Sequence, residues 1–166
     1  MKKLHLLGLS LLALVMINSA HAQRGNQLGI GFIVGEPTGL SVKKWLDSRR
    51  ALDLGLGWSS SGSDSFHLHG DYLFHQYGLL RGVANDLNLS GDLTTYLGLG
   101  ARAKFRDHDR HHDDDDTLLG VRVPLGISYQ FADAPVDLFV EAVPTMDLIP
   151  DSDFGINAAL GGRYYF

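Results

Sequence analysis

Cysteine is missing from all 166 residues. That excludes a disulfide framework, thiolate metal sites, a cysteine nucleophile and a lipid anchor on an N-terminal cysteine. An excess of positive charge is missing too. Fourteen Lys and Arg face nineteen Asp and Glu, for a net charge of −5, whereas a nucleic-acid partner calls for a basic footprint. No apolar run reaches the ~20 residues of a spanning helix, and no linker or internal repeat divides the chain, whose length suits one domain. Mean hydropathy lies near zero, which taken alone points to a soluble protein.

What is present first is an address. Residues 1–22 read MKKLHLLGLSLLALVMINSAHA, with Lys2 and Lys3 as a basic start, an apolar stretch from Leu4 to Ile17 and Ala20-His21-Ala22 as a cleavage site: a signal peptide. Its removal leaves 144 residues, 23–166, with 12 basic and 19 acidic side chains.

The remainder alternates with the period of two that marks strands. Leu28, Ile30, Phe32 and Val34 form one apolar row, and Leu52, Leu54, Leu56 and Trp58 another. Phe66, Leu68, Tyr72 and Phe74 oppose His67, His69, Asp71 and His75. Similar rows follow at Leu97–Ala101, Leu119–Tyr129, Val136–Ala142 and Ile156–Phe166, and a less regular one lies at about Gly39–Leu46, where Lys44 shares the apolar parity. This predicts eight antiparallel strands closed into an up-and-down barrel. Their length suits a tilted crossing of a bilayer at ~9–11 residues each.

Alternation leaves open which face is inside, and a soluble, lipocalin-like periplasmic barrel is the competing architecture. Side-chain volume decides between them. The apolar face is crowded with Leu, Ile, Val, Phe, Tyr and Trp, while the other face carries ten glycines: 29, 31, 55, 57, 98, 100, 120, 126, 155 and 161. An eight-stranded lumen is only just wide enough for side chains, so small and charged residues belong inside and bulky apolar ones in lipid. On the inward face Asp53, Asp71, Asp137 and Glu141 oppose Lys43, Arg102, Lys104, Arg122 and Arg163, as buried charge requires. Pro124, in the sixth strand, has no N–H for the ladder and suggests a bulge.

The signal peptide, the eight amphipathic strands and the ending Arg163-Tyr164-Tyr165-Phe166 resemble the small outer-membrane β-barrels of Gram-negative bacteria, of the OmpA/OmpX type. Gly35-Glu36-Pro37-Thr38-Gly39 and Arg122-Val123-Pro124-Leu125-Gly126 fit the same pattern. The resemblance spans about residues 27–166. It implies location in the outer membrane, contact with its lipid, and delivery by the barrel assembly machinery through a terminal signal at Tyr164 and Phe166. It also implies both termini on the periplasmic side. The outer loops are then 35–38, 59–65, 106–117 and 144–153, and the periplasmic connections 47–50, 76–92 and 131–135.

Two clusters could carry chemistry. Residues 106–116 hold three His and six Asp, so His108, His111, His112 and Asp113 are candidate metal ligands. The run has no fixed ligand spacing, and a solvated acidic tip is the simpler reading. The second cluster is inward: His67, His69 and Asp71, with Arg102, Arg122 and Glu141, form a polar network. Adding Ser128 would make an acyl-transfer site of the kind a lipid-modifying enzyme needs, but no G-x-S-x-G elbow is present. Gly29-x-Gly31 and Gly98-x-Gly100 lack the third glycine and following helix of a dinucleotide loop, so no cofactor is expected. The expectation is a monomeric structural or surface-interaction protein, not an enzyme.

Overall fold

A computed structural model of the chain describes residues 28–59, 65–106 and 117–166. The expected signal peptide, residues 1–22, and the metal-ligand candidates His108, His111, His112 and Asp113 lie outside the described residues. The strands are β1 (Leu28–Gly35), β2 (Thr38–Trp45), β3 (Arg50–Ser59), β4 (Ser65–Tyr77), β5 (Asp92–Arg106), β6 (Thr117–Arg122), β7 (Leu125–Gln130), β8 (Val136–Ile149) and β9 (Asp153–Tyr165). A helix, α1 (Arg81–Asp86), stands between β4 and β5.

Every pairing is antiparallel, and β1 closes the ring against β9. β6 and β7 together make one wall strand, since both pair with β5 on one side and β8 on the other. The wall therefore has the eight strands expected from the alternation.

The break between β6 and β7 is not a bulge. Arg122 faces Gly100 and Leu125 faces Leu97, so no extra residue enters the register at Pro124. Gly98 N–H donates to the Pro124 carbonyl at 2.8 Å, and the reciprocal bond is lost because proline has no N–H. The register slip lies instead between Leu119 and Gly120, against β8. The fourth outer connection is also shorter than 144–153: β8 continues through Pro144 to Ile149 and β9 starts at Asp153. Pro144 still accepts from Val123 N–H through its carbonyl, at 2.9 Å, so a proline here costs one bond and not the strand.

At the end that carries the termini, Asp47 closes the β2–β3 turn. Its Oδ1 accepts the backbone N–H of Arg49 and of Arg50, both at 2.8 Å, and its Oδ2 accepts from the Arg50 guanidinium. These bonds, the Arg49 N–H first, hold its carboxyl below the usual carboxylate range.

Polarity is inverted relative to a soluble barrel. Leu54, Phe32, Leu99, Val140, Leu160 and Ile156 are exposed on the outside, while Lys43, Asp53, Arg122, Asp137 and Arg163 are buried inside. That removes the lipocalin-like alternative, because water would meet a continuous apolar wall. Aromatic rings mark both rims. Trp58, Phe66 and Phe105 sit on three adjacent strands at one end, with centroids 5.8 and 6.2 Å apart. Tyr72–Phe74, Tyr129–Phe131 and Tyr164–Phe166 pair at the other, 4.8 to 5.1 Å apart. Such belts match the two membrane–water interfaces.

The two tryptophans provide a direct check. Trp58 is 67% exposed on the wall, and Trp45 is 8% exposed in the lumen. In vesicles of brominated lipid, a Trp45→Phe variant, which keeps Trp58, is expected to lose most of its fluorescence. A Trp58→Phe variant is expected to lose little. Equal quenching of the two would contradict the inside–outside assignment.

Candidate functional site: the polar lumen

Many of the bulky or charged lumenal side chains lie across from a glycine on a neighbouring strand. Gly55 faces His69 and Gly126 faces Tyr96. Gly161 faces Phe139, and Gly100 faces Asp71. A Cβ on Gly55 would come within 2.2 Å of the His69 ring, and one on Gly100 within 1.9 Å of the Asp71 carboxylate. The inward glycines are thus the space that the polar network occupies.

Nearest the termini, the Lys43 ammonium donates to His75 Nε2 at 2.9 Å and sits 4.3 Å above the Trp45 ring. Tyr165 O–H donates to Asp137 at 2.6 Å. Midway, Arg163 spans the lumen. It donates to both Asp53 oxygens and to Ser41 Oγ at 2.8 Å, lies 3.6 Å from Asp137, and stacks over Phe139 at 3.9 Å.

Arg122 bridges two carboxylates, donating to Glu141 at 3.2 Å and lying 3.0 Å from Asp71, out of line for a hydrogen bond. Glu141 also accepts from Tyr96 O–H at 2.9 Å. Toward the far end, Arg102 makes a two-pronged bond to Asp147, each arm 2.8 Å, the strong fork geometry of guanidinium with carboxylate.

All six residues of the expected network, His67, His69, Asp71, Arg102, Arg122 and Glu141, are buried in the lumen. Arg122, Asp71 and Glu141 are joined directly. His67 and His69 pack edge to face, 5.4 Å apart, with both His67 nitrogens and His69 Nδ1 lacking a hydrogen-bond partner among the described residues. Asp147 escaped the sequence reading because it fell within the expected outer loop 144–153. The inward rhythm Glu141, Val143, Thr145, Asp147 was its available signal.

Ser128 does not join the histidines. It pairs with Thr94, which faces Tyr77, eight residues along β4 from His69, and its hydroxyl contacts the Thr94 hydroxyl at 3.2 Å. Ligand atoms of Asp53, His69 and Asp71 do converge within 4.8 Å of one another. Arg163 on Asp53 and Arg122 beside Asp71 already balance those carboxylates, so the trio belongs to the ion-pair network.

Among solved structures, the chain is similar to the N-terminal β-barrel domain of Pseudomonas aeruginosa OprF, with a TM-score of 0.62 and 16% identity over 87% of this chain and all of that one. The chain has the fold of a small outer-membrane β-barrel. The Yersinia pestis outer membrane protein Ail, in a phospholipid nanodisc, aligns over 87% of this barrel and all of its own chain with a TM-score of 0.41 and 14% identity. No family model and no curated protein matches the sequence.

Proposed function

We propose that the chain is exported by a leader over residues 1–22 and serves in the outer membrane as a monomeric structural or surface-interaction protein, not as an enzyme or a diffusion pore. The observation that carries this reading is the lumen itself. Arg102, Arg122, Arg163 and Lys43 are buried against Asp147, Asp71, Glu141, Asp53 and Asp137. An eight-stranded interior filled in this way leaves little room for water to pass. What such a barrel offers to others is its wall and its loops.

Delivery by the barrel assembly machinery is part of the proposal. Tyr164 and Phe166 support it, as outward rings 5.1 Å apart at the end of the last strand. The termini-bearing end is then periplasmic, and the opposite end, where β5 ends and β6 begins, faces outward. Net negative charge supports the absence of a nucleic-acid partner.

The test has two arms. In planar bilayers the purified chain is expected to give no steady conductance, and cells with and without the gene are expected to have the same lipid A and phospholipid profiles. A stable ohmic pore would overturn the closed-lumen role. A changed lipid profile that His69→Ala abolishes would establish the enzymatic reading instead.

A further inference from the structure

The wall is not uniformly smooth. At the end carrying the termini, its outer surface opens into a groove of about 570 Å³ where β4, β5 and β7 meet. Phe74, Leu97 and Leu125 give it an apolar floor, Leu79 of the β4–β5 connection adds to the apolar lining, and Arg49 and Gln76 supply its polar rim. The floor is continuous with the lipid-facing surface: Phe74 is 53%, Leu97 50% and Leu125 47% exposed, on the same parity as the rest of the apolar wall. Leu79 at 63% exposed and Val83 and Leu87 beyond it extend that apolar character along the connection around α1. A connection in water has no reason to present these side chains, whereas one resting at the membrane interface does.

The charge at the rim is specific. Arg49 and Arg50 are adjacent, but Asp47 takes the Arg50 guanidinium. The Arg49 guanidinium has no carboxylate partner among the described residues, and its backbone carbonyl is fixed by His75 N–H at 2.6 Å. An unpaired cation on an anchored turn, above an apolar groove in the plane of the membrane, has the layout of a headgroup site over an acyl-chain slot.

We propose that this groove binds one phospholipid with an anionic headgroup, its phosphate on Arg49 and an acyl chain along Phe74, Leu97 and Leu125 against Leu79. The proposal rests on the wall facing lipid, which the tryptophan quenching experiment tests separately, and it does not depend on the proposed surface role.

The experiment uses the full chain refolded into nanodiscs of equal phosphatidylglycerol and phosphatidylethanolamine, then moved to mild detergent for native mass spectrometry. One phosphatidylglycerol is expected to stay bound with a preference of about fivefold, the effect of one basic side chain at a membrane surface. Arg49→Gln is expected to bring that preference close to one while the heat-dependent gel shift of the folded barrel persists. Arg81→Gln, an exposed arginine on α1 outside the groove, should leave it unchanged. Leu79→Gln should lower retention of both lipids. The proposal is overturned if the natural chain shows no preference, if Arg49→Gln keeps it, if Arg81→Gln removes it equally, or if Leu79→Gln retains lipid as before.

Discussion

Gly31→Ala is expected to remove the folded barrel almost entirely. Gly31 sits in β1 at the seam where the ring closes, facing Arg163 of β9 on one side and Ser41 of β2 on the other. A Cβ there would lie 1.8 Å from the Gly162 carbonyl oxygen and 2.7 Å from the Arg163 Cα. Both are backbone atoms, so no side-chain rotation relieves the overlap, and relief requires β1 and β9 to part. Overpacking in a side-chain core costs about 1–3 kcal/mol, and displacing the closing seam adds the ladder bonds it carries.

Gly155→Ala is the matched control. It is also an inward strand glycine, but its nearest neighbour would be the Thr145 hydroxyl at 3.3 Å, which can rotate. Refolding into detergent micelles, followed by the gel shift and a urea titration, should show Gly155→Ala near the natural midpoint and Gly31→Ala without a folded band. Equal midpoints would mean that the seam is looser than its geometry indicates.

The contrast between these two glycines shows where the sequence stops being informative. Period-two alternation assigns Gly31 and Gly155 to the same inward face, and the volume argument explains why that face holds small residues. Parity also placed Lys43, Asp53, Arg122 and Arg163 inside without any structure, because one buried face leaves the strand register little freedom. It could not say which partner each would meet. Arg163 reaches Ser41 across 122 positions and Asp53 across 110, distances set by how far the sheet is sheared before it closes.

Proline misled for a related reason. Pro124 read as a bulge and Pro144 fell at the start of the expected loop 144–153, but each gives its carbonyl to the ladder on adjacent strands, and neighbouring pairs preserve the register. The groove beside Arg49 was beyond reach of alternation altogether, since it depends on where the β4–β5 connection comes to rest.

Those long-range partners make Arg163 the second position of large effect. Arg163→Met keeps much of the volume and the stacking over Phe139 but removes the charge held by Asp53 and Asp137. Asp53 is left buried without its ion-pair partner, while Asp137 keeps Lys43 at 3.7 Å, and Ser41 loses its donor. Leaving buried charge without its partner costs about 3–5 kcal/mol, which is comparable to the whole margin of many domains. Arg163→Lys is expected to recover only part of this, because one ammonium cannot stand both where Nη2 meets the two Asp53 oxygens and where Nε meets Ser41.

Asp53→Asn in the Arg163→Met background supplies the decisive comparison. If the loss comes from stranded negative charge, removing one of the two carboxylates should restore part of the urea midpoint, although each change alone lowers it. A double variant that falls by the sum of the two single losses would show that Arg163 acts through packing on Phe139 rather than through its charge. The ion pairs would then be incidental to closing the lumen.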